Sequence, residues 1–382
     1  MLKKRLMTPG PTPVHPDASL ALAGPSPHHR TPEFKAIVTR LRRNLQKVFR
    51  TRGEMVLLTS SGTGAMEAAV TNLTRPGDVV IVVDSGKFGR RWVELCQAFQ
   101  RKPLTLTPPP EQPVQPGEVA KALDGSAATA LFFAACESST GVQADTRALA
   151  AAARRVAGDD LLVVVDAITQ VGAAPLETDA WDLDVVIGGS QKAFMIPPGL
   201  AFLALSPRAQ QRLEETGGAG LYLDLARELE AQKKGSTAWT PSTALALALD
   251  TAVDCLLARG METIWDETKR RALMTRRGVT AMGMDLFAKA PAVSLTAVLA
   301  PGGLPSSQVV AGLEVRFGIR IAGGQGDLRD TIFRMAHLGY IDEVETLGTL
   351  GALGIVVNQL GVPVNVPAGL AAAAEVMSAP LS

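Results

Sequence analysis

The chain has 382 residues, of which 47% are hydrophobic, so it is long enough to bury a large core and to form two domains. Its 38 lysines and arginines nearly balance 37 aspartates and glutamates, and no block of like charge stands out. This balance argues against a nucleic-acid surface or a membrane-binding arm and favours a small-molecule substrate.

The cysteines and histidines argue against metal and disulfide chemistry. Cys96, Cys136 and Cys255 are widely spaced and include no CxxC pair, and the four histidines lack metal-ligand spacing. Such cysteine usage is typical of a reducing compartment, so we expect a cytoplasmic protein. The amino terminus, MLKKRLMTPGPTPVHP, reaches Pro9 before an apolar core could form, and we therefore expect no signal peptide.

The first predicted elements alternate between strands and helices. Residues 1–30 are rich in proline and glycine and should be mostly irregular, whereas residues 31–50 space their apolar side chains as a helix does. Short apolar strands then precede helical stretches: MVLLT before GAMEAAVTNL, VVIVVD before GRRWVELCQAF, and TALFFAAC before TRALAAAARRVA. The strands DLLVVVDA and DVVIGG follow. Continuous apolar strands between helices predict a mostly parallel sheet that helices cover on both faces.

The pattern changes near Gly260. STALALALDTAVDCLLARG predicts a helix that ends at this glycine, and the charged helix WDETKRRALMTRRG follows. The strand AVSLTAVLA, a helix near SSQVVAGLEVRF, the strand IRIAG and the segment TIFRMAHLG then predict a smaller α+β domain. We therefore predict an amino-terminal segment over residues 1–15 that associates with the small domain. The large α/β domain would span residues 16–260, and the small carboxy-terminal domain would span residues 261–382.

Residues 346–374 carry no charged side chain and are numerous enough to suggest a membrane span. Asn358, Gln359 and Pro363 interrupt the segment, and glycines are scattered through it. We therefore expect a buried helix followed by a loose, Ala-rich terminal helix, and no contact with a membrane.

Polar groups follow several predicted strands, and ligands of open parallel sheets bind beyond the carboxyl ends of the strands. In LLTSSGTGAMEAA, the N–H groups of Gly62 and Thr63 would face an anion at a helix start, although an ordinary capped turn is the alternative. Asp166 closes LLVVVDA, where a buried acid needs a partner, although a lone Asp is often just a turn or cap residue. Ser138 and Ser139 follow TALFFAAC, where hydroxyls are often turn-formers.

Lys192 follows DVVIGG and is the only lysine between Lys121 and Lys233. Gly188 and Gly189 precede it and the sequence PPG follows, so the backbone around this amine is constrained. A surface lysine is the ordinary interpretation. Burial beside a cationic ring would instead lower the pKa from about 10.4 and free the amine to attack a carbonyl.

These groups match the requirements of pyridoxal 5'-phosphate (PLP). This cofactor needs an anion cradle for its phosphate, an amine for covalent attachment, a carboxylate for its pyridine nitrogen and a flat side chain over its ring. Phe88, in DSGKFGRR after the strand VVIVVD, could supply the flat face.

Seven motifs carry a family resemblance: TPGPTPV, HHRTPEF, SSGTGAMEAA, ACESSTGV, DAITQVGAAPLETDAWDLDVVIGGSQKAFMIPPG, TPST and AGGQGDLRDTIFRMAHLG. With them the chain resembles the class V (fold type I) PLP-dependent aminotransferases of the alanine–glyoxylate and serine–pyruvate group. The motifs cover nearly the whole length in the expected order, and the block from Asp166 to Lys192 is the most specific. The resemblance implies the PLP-transferase fold type I.

The resemblance also implies roles for individual residues. Lys192 would form the Schiff base with the cofactor, and Asp166 would pair with the pyridine N–H. Arg334 would hold the substrate α-carboxylate as a bidentate fork, and Gly10 would line the substrate pocket. Thr240 would reach the cofactor phosphate of the neighbouring subunit, which implies a homodimer. The other cofactor contacts would come from Ser61, Gly62, Thr63, Phe88, Ser138 and Gln191.

Three positions depart from the family pattern. A tryptophan often stands where this chain has Phe88, and a histidine where it has Thr63; any aromatic face stacks, and a hydroxyl can bond phosphate. A tyrosine expected near Thr240 is missing, and Trp239 stands there instead.

We therefore predict a PLP-dependent transaminase that moves the amino group of a small L-amino acid, alanine or serine, to a 2-oxo acid such as glyoxylate or pyruvate. An aspartate or phosphoserine aminotransferase that uses 2-oxoglutarate is the main alternative. It would need a second cation, for which Arg30 is a candidate, although Arg30 is as readily a structural residue near a subunit interface.

Three other functions fit the residues less well. A PLP lyase or desulfurase of related fold would use a cysteine on a mobile loop and stack a histidine on the ring. A nucleotide-binding α/β protein would leave Lys192, Asp166 and Arg334 without a role. A non-catalytic binding protein on this fold would lack the lysine.

Overall fold

A computed structural model of the protein describes residues 2–218 and 220–380. The strands are β1 (Arg5–Leu6), β2 (Glu54–Leu58), β3 (Val79–Val83), β4 (Lys102–Leu106), β5 (Ala128–Ala134), β6 (Cys136–Glu137), β7 (Val142–Gln143), β8 (Leu162–Asp166), β9 (Val185–Gly189), β10 (Ala201–Leu205), β11 (Leu295–Leu299), β12 (Ile319–Arg320), β13 (Ala322–Gly323) and β14 (Ile332–Ala336). The α-helices are α1 (Pro16–Ala23), α2 (Pro32–Val48), α3 (Gly62–Leu73), α4 (Lys87–Ala98), α5 (Pro116–Leu123), α6 (Thr146–Ala157), α7 (Pro207–Thr216), α8 (Leu225–Lys233), α9 (Thr243–Arg259), α10 (Met261–Ala281), α11 (Ser306–Phe317), α12 (Glu343–Gln359) and α13 (Val366–Ser378).

The central sheet has seven strands in the order β2-β10-β9-β8-β5-β3-β4. Strands β9, β8, β5, β3 and β4 run parallel, and β10 runs antiparallel to both of its neighbours, so β2 points the same way as the parallel set. One hydrophobic cluster fills each face of the sheet beneath the helices. The predicted α/β class with a mostly parallel, helix-covered sheet is confirmed.

Helix α1 and strands β4 and β10 are among the elements that were not predicted from the sequence. Helix α1 lies within residues 1–30, where its sequence PDASLALA stands between proline-rich stretches. Apart from α1 and β1, the described residues of this segment are irregular, as expected. Strand β4 is an edge strand with largely exposed side chains, which removes the apolar signal. Strand β10 is apolar but follows two prolines and a glycine and has no helix before it, so it does not fit the alternating pattern.

The region after residue 260 forms its own sheets. Strands β11, β14 and β13 make a three-stranded antiparallel sheet, and β1 pairs in parallel with β12. Met7, just after β1, packs in the same hydrophobic cluster as Val298 and Phe333. Helix α10 begins at Met261. These contacts support the division into residues 1–15, 16–260 and 261–382, which stays a prediction.

The uncharged stretch of residues 346–374 belongs to two helices. Helix α12 buries Leu350, Leu353 and Val357, and α13 follows after a short loop. Across residues 2–218 and 220–380, no helix combines the length and the apolar character that a membrane crossing needs.

The topology gathers the predicted site residues at one edge of the central sheet. Strands β2, β3, β5, β8 and β9 point the same way, so their carboxyl ends lie along the same edge. The SSGTG turn, Phe88, the CESS segment and Lys192 follow these strands, and Asp166 is the last residue of β8. The fold therefore converts sequence-distant polar groups into one candidate site.

Candidate active site

Lys192 lies in a turn just beyond β9, with its side chain partly buried. Its Nζ donates a hydrogen bond to the carbonyl oxygen of Pro9 at 2.7 Å. Desolvation lowers the pKa of this amine to about 8, even though the nearby charge of Asp166 acts in the opposite direction. At pH 7 roughly a tenth of the amine is therefore neutral and nucleophilic, far more than for an ordinary lysine.

The amino-terminal segment crosses directly over this lysine. Thr12 donates its N–H to the carbonyl of Gln191 at 3.0 Å and its hydroxyl to the carbonyl of Lys192 at 2.7 Å. Gly10 has φ of 152°, and a Cβ added there would lie 2.1 Å from Nζ of Lys192. The predicted substrate-pocket residue Gly10 is therefore held against the amine.

Replacement of Gly10 by alanine should impair capture of a carbonyl compound by Lys192, because a methyl group cannot occupy the space that Nζ fills. We expect the rate of covalent PLP attachment to fall by roughly tenfold or more, as misplacement by about 1 Å commonly does to a reacting group. Stopped-flow absorbance of PLP mixed with the PLP-free protein measures this rate. Gly77→Ala is the matched control, since Gly77 also has positive φ but open space around it; an equal loss in both variants would contradict the interpretation.

Asp166 is the last residue of β8 and is only 5% exposed. Its Oδ1 accepts the N–H of Ile168 at 3.0 Å. Burial raises the pKa of this carboxyl to about 6, and the charge of Lys192 acts against that rise. Asp166 and Lys192 are thus close enough for each charge to influence the other, as two groups that share one ligand must be.

The turn before α3 has the features of an anion cradle. Ser61 is the N-cap residue, but its hydroxyl makes no capping hydrogen bond and stays exposed. Gly62 is buried, and a Cβ there would lie 2.3 Å from Ile168. The buried Oε1 of Gln191 has no partner among the described residues, and the amide can turn to present its NH₂ group. Helix-start N–H groups, a hydroxyl and an amide together suit a phosphate.

Phe88 and Thr63 are connected by Arg91, which the sequence analysis did not identify. Nη1 of Arg91 donates to the hydroxyl of Thr63 at 3.1 Å, and its guanidinium carbon lies 4.9 Å from the centroid of the Phe88 ring. The i, i+3 spacing on α4 places Phe88 and Arg91 on one helix face. This spacing is visible in the sequence and could have indicated that Arg91 contacts the ring of Phe88.

Glu137 is a second residue that the sequence analysis missed. It is 1% exposed and lies between Cys136 and Ser138, just past the end of β5. Its Oε2 accepts the N–H groups of Phe88 and Gly89, and its Oε1 accepts both the N–H and the hydroxyl of Ser139. An acid after an apolar strand was the signal, the same one that identified Asp166.

Arg334 on β14 is buried, with 5% of its surface exposed. Its Nε and Nη2 donate to the carbonyl of Gly323 at 3.1 and 2.7 Å, and Nη1 donates to the carbonyl of Ser138 at 2.5 Å. Burial lowers its pKa to about 10, so it stays charged at neutral pH. These bonds leave one N–H on each terminal nitrogen, which is the number a bidentate carboxylate contact needs.

Thr240 lies apart from this group. It is exposed, three residues before α9 begins, and lines a separate cleft of about 370 Å³ with His29 and Arg30. The segment after Thr240 contacts the residue before the SSGTG turn, since the N–H of Ser242 donates to the hydroxyl of Thr59 at 3.2 Å. Within one subunit, Thr240 and Arg30 therefore share a surface, and their contact with a cofactor stays a prediction.

The class V model of aminotransferases matches residues 18–326. The chain belongs to the class V aminotransferase family. It is therefore a transaminase, and the predicted resemblance is confirmed. This aminotransferase is 37% identical to the soluble hydrogenase small subunit of Synechococcus sp. (strain PCC 6716), over 98% of this chain and 99% of that protein.

Two further relatives carry aminotransferase names. An aspartate aminotransferase of subgroup IV from Thermus thermophilus has a crystal structure that matches with a TM-score of 0.88, at 37% identity over 93% of this chain and 99% of that one. The serine–glyoxylate aminotransferase of Methylorubrum extorquens is 28% identical over 98% of this chain and 96% of that protein.

In the part of the chain that the structure describes, one group of possible metal ligands lies away from this site. Ligand atoms of His15, Asp17 and Cys255 are within 4.8 Å of one another. Sequence spacing could not reveal this group, since Cys255 comes from α9. Nδ1 of His15 already accepts the N–H of Asp17 at 3.2 Å and so caps α1, which accounts for the position of the ring without a metal.

Proposed function

We propose that this aminotransferase binds PLP and transfers the amino group of a small L-amino acid, alanine or serine, to a 2-oxo acid such as glyoxylate or pyruvate. The placement of Asp166 at the end of β8 and of Lys192 in the turn after the neighbouring strand β9 carries the proposal. An amine whose pKa is lowered to about 8 and a buried carboxylate influence each other's charge at the carboxyl edge of the sheet. A heterocycle that carries an aldehyde and a ring N–H fits between two such groups.

The residues fit PLP at each of its functional groups. The helix start at Ser61, Gly62 and Thr63, with the amide of Gln191, would hold the phosphate. Phe88 would cover one face of the ring, Asp166 would accept the ring N–H, and Ser138 would lie at the same edge of the sheet. When bound, PLP supplies an electron-accepting ring that stabilises negative charge at the substrate α-carbon.

Lys192 would move the proton. Once a substrate amine has replaced it, the ε-amine is free beside the substrate α-carbon. A pKa of about 8 lets it accept a proton and return it at a neighbouring atom near neutral pH. The carbonyl of Pro9, 2.7 Å from Nζ, would orient the amine in the meantime.

The cation near Lys192 supports a donor with one carboxylate. Arg334 is the positively charged side chain whose charge affects the pKa of Lys192. Its two remaining N–H groups suit one α-carboxylate. Alanine or serine would then need no second cation from the same subunit. The aspartate aminotransferase of T. thermophilus, at 37% identity, favours aspartate as a second candidate donor, for which Arg30 of a neighbouring subunit would supply the extra cation.

A homodimer would complete the site. Thr240 and Arg30 line one exposed cleft, and Leu221 and Tyr222 expose 61% and 52% of their surfaces close by. Tyr222 donates its hydroxyl to Thr59, next to the SSGTG turn, and its ring stacks on Trp239. If a second copy packs against this surface, Thr240 would be able to reach the cofactor bound by that copy.

The three cysteines support neither a desulfurase nor an iron–sulfur site. Burial raises the pKa of Cys96 and of Cys136 to about 12, which disfavours a reactive thiolate, and Cys255 lies on helix α9 rather than on a loop. Three cysteines cannot supply the four thiolates that iron–sulfur clusters usually take, so the hydrogenase name of one relative is not carried over. Their unpaired state is consistent with the cytoplasmic location that we propose.

A half-reaction screen tests the proposal. The purified protein loaded with PLP is mixed with single amino acids, and conversion of the aldehyde form to the amine form is followed by absorbance. We expect alanine or serine to react fastest and glyoxylate or pyruvate to reverse the change. Preference for aspartate would support the second candidate, and conversion by no amino acid would overturn the transaminase proposal.

Replacement of Arg334 by lysine should raise the KM for the amino acid and leave PLP attachment nearly unchanged. An ammonium group cannot hold both the carbonyl anchors and a bidentate carboxylate. We expect a loss of roughly 30-fold or more in kcat/KM, since cutting into a buried, charge-assisted contact costs about 2 kcal/mol or more. Steady-state kinetics with the preferred donor measure it. Arg316→Lys, at the exposed end of α11, is the control; an unchanged KM in Arg334→Lys would refute this role.

A further inference from the structure

Glu137 connects two loops that the proposed function uses. One oxygen of its carboxylate accepts the N–H groups of Phe88 at 3.1 Å and Gly89 at 2.9 Å, at the start of α4. The other accepts the N–H of Ser139 at 3.1 Å and its hydroxyl at 2.6 Å, within its own loop. Four hydrogen-bond donors therefore converge on one buried side chain. Two of them belong to Ser139 in the same loop, and the other two lie 49 and 48 residues earlier in the sequence.

The start of α4 depends on this distant carboxylate. The N-cap residue Gly86 has no side chain, so it offers no capping hydrogen bond to the first turn. Glu137 accepts two N–H groups that would otherwise lack an acceptor at this end. A Cβ at Gly86 would lie 2.7 Å from Cγ of Glu137 and 2.6 Å from the hydroxyl oxygen of Ser139. The missing side chain at Gly86 thus makes room for the carboxylate.

We propose that Glu137 is a positioning residue that fixes the ring of Phe88 relative to the loop of Ser138, and so sets the width of the gap in which the cofactor ring is held. This inference rests on the proposed function. Glu137 touches none of the reacting atoms in this scheme; it acts through the backbone of α4 and of its own loop.

The influence of Glu137 extends through two further contacts. On the α4 side, Arg91 packs on the Phe88 ring and donates to Thr63 of the phosphate turn. On the other side, the carbonyl of Ser138, the next residue, accepts a hydrogen bond from Arg334. A shift of Glu137 would therefore move the ring face, the phosphate turn and the substrate fork together.

Replacement of Glu137 by glutamine tests the proposal. Gln keeps the size but has one oxygen, so its NH₂ group must face N–H donors on one of the two sides. We expect the dissociation constant for PLP to rise by roughly tenfold or more, because hydrogen bonds to a buried carboxylate are strong. Absorbance titration of the PLP-free protein measures this constant. Asp250→Asn, which also removes a largely buried carboxylate that pairs with Arg40, should leave it unchanged.

A double-mutant cycle separates positioning from general stability. If Glu137 acts through Phe88, the Phe88→Ala and Glu137→Gln losses in PLP affinity should not multiply, and the double variant should bind about as weakly as the weaker single variant. Losses that multiply, or an equal loss in Asp250→Asn, would overturn the proposal. If Glu137→Gln does not fold, Ser139→Ala takes its place in the same cycle with a smaller expected loss. This variant deletes the 2.6 Å hydroxyl donor to Glu137 and the acceptor of the Lys87 N–H at the start of α4.

The wild-type protein separates this proposal from the function on which it rests. A wild type that binds PLP tightly beside a Glu137→Gln variant of equal affinity would overturn the role of Glu137 alone. A wild type with no affinity for PLP would overturn the proposed function and this inference with it.

Discussion

Replacement of Lys192 by alanine is expected to abolish turnover and covalent attachment of PLP. The variant loses the amine that Pro9 orients and that desolvation brings to a pKa of about 8. Loss of the proton carrier alone should lower the half-reaction rate by roughly 10²- to 10⁴-fold. Borohydride treatment followed by mass spectrometry of the peptide around residue 192 detects the covalent bond, and absorbance under single-turnover conditions measures the rate. Lys121→Ala, at an exposed position on α5, is the control.

The pH dependence of PLP capture gives an independent check on Lys192. The amine is protonated and unreactive below its pKa of about 8 and becomes neutral above it. The capture rate of the wild type should therefore rise as pH increases from 7 to 9. A capture rate that falls over this range, or a Lys192→Ala variant that keeps a reducible bond to PLP, would rule out Lys192 as the attachment point.

The fold class could be predicted mainly from the pattern of apolar strands. The five strands β2, β3, β5, β8 and β9 were visible as continuous apolar runs, since strands buried on both faces carry no polar alternation. Strand β4 was missed because an edge strand need not be apolar. Strand β10 was missed because no helix precedes it, which breaks the alternating pattern, and its place beside β2 depends on pairing between distant segments.

Some residues of the candidate site could likewise be predicted from the sequence, and others could not. Lys192 and Asp166 stood out because a charged group after an apolar strand is costly without a partner. Glu137 occupies the same kind of position but was hidden among small polar residues of a turn, and its partners are 48 and 49 residues away in sequence. The role of Arg91 depends on a contact with Thr63 of another helix. Such contacts exist only once the sheet has aligned the loops.

Replacement of Asp166 by asparagine should slow the half-reaction by roughly 10²- to 10³-fold while PLP stays covalently attached, because a neutral amide does not favour a protonated ring. Asparagine has nearly the same shape, and its Oδ1 can still accept the N–H of Ile168, so the end of β8 should keep its geometry. Stopped-flow absorbance with the preferred amino acid measures the rate. Reduction with borohydride confirms that attachment to Lys192 persists, which separates an electronic defect from a failure to bind.

The pH profile makes this prediction specific to the charge of Asp166. Burial raises the pKa of the carboxyl to about 6, so in the PLP-free wild type it is ionised above that pH and neutral below it. The PLP affinities of wild type and Asp166→Asn should therefore differ most above pH 6 and converge as the pH falls below it. Asp250→Asn, which removes a carboxylate at the contact of α2 with α9, should follow the wild type throughout. If the half-reaction rate of Asp166→Asn stays within a few-fold of the wild type, the ring nitrogen has no need of a negative charge at this position, and another group must draw electrons from the substrate α-carbon.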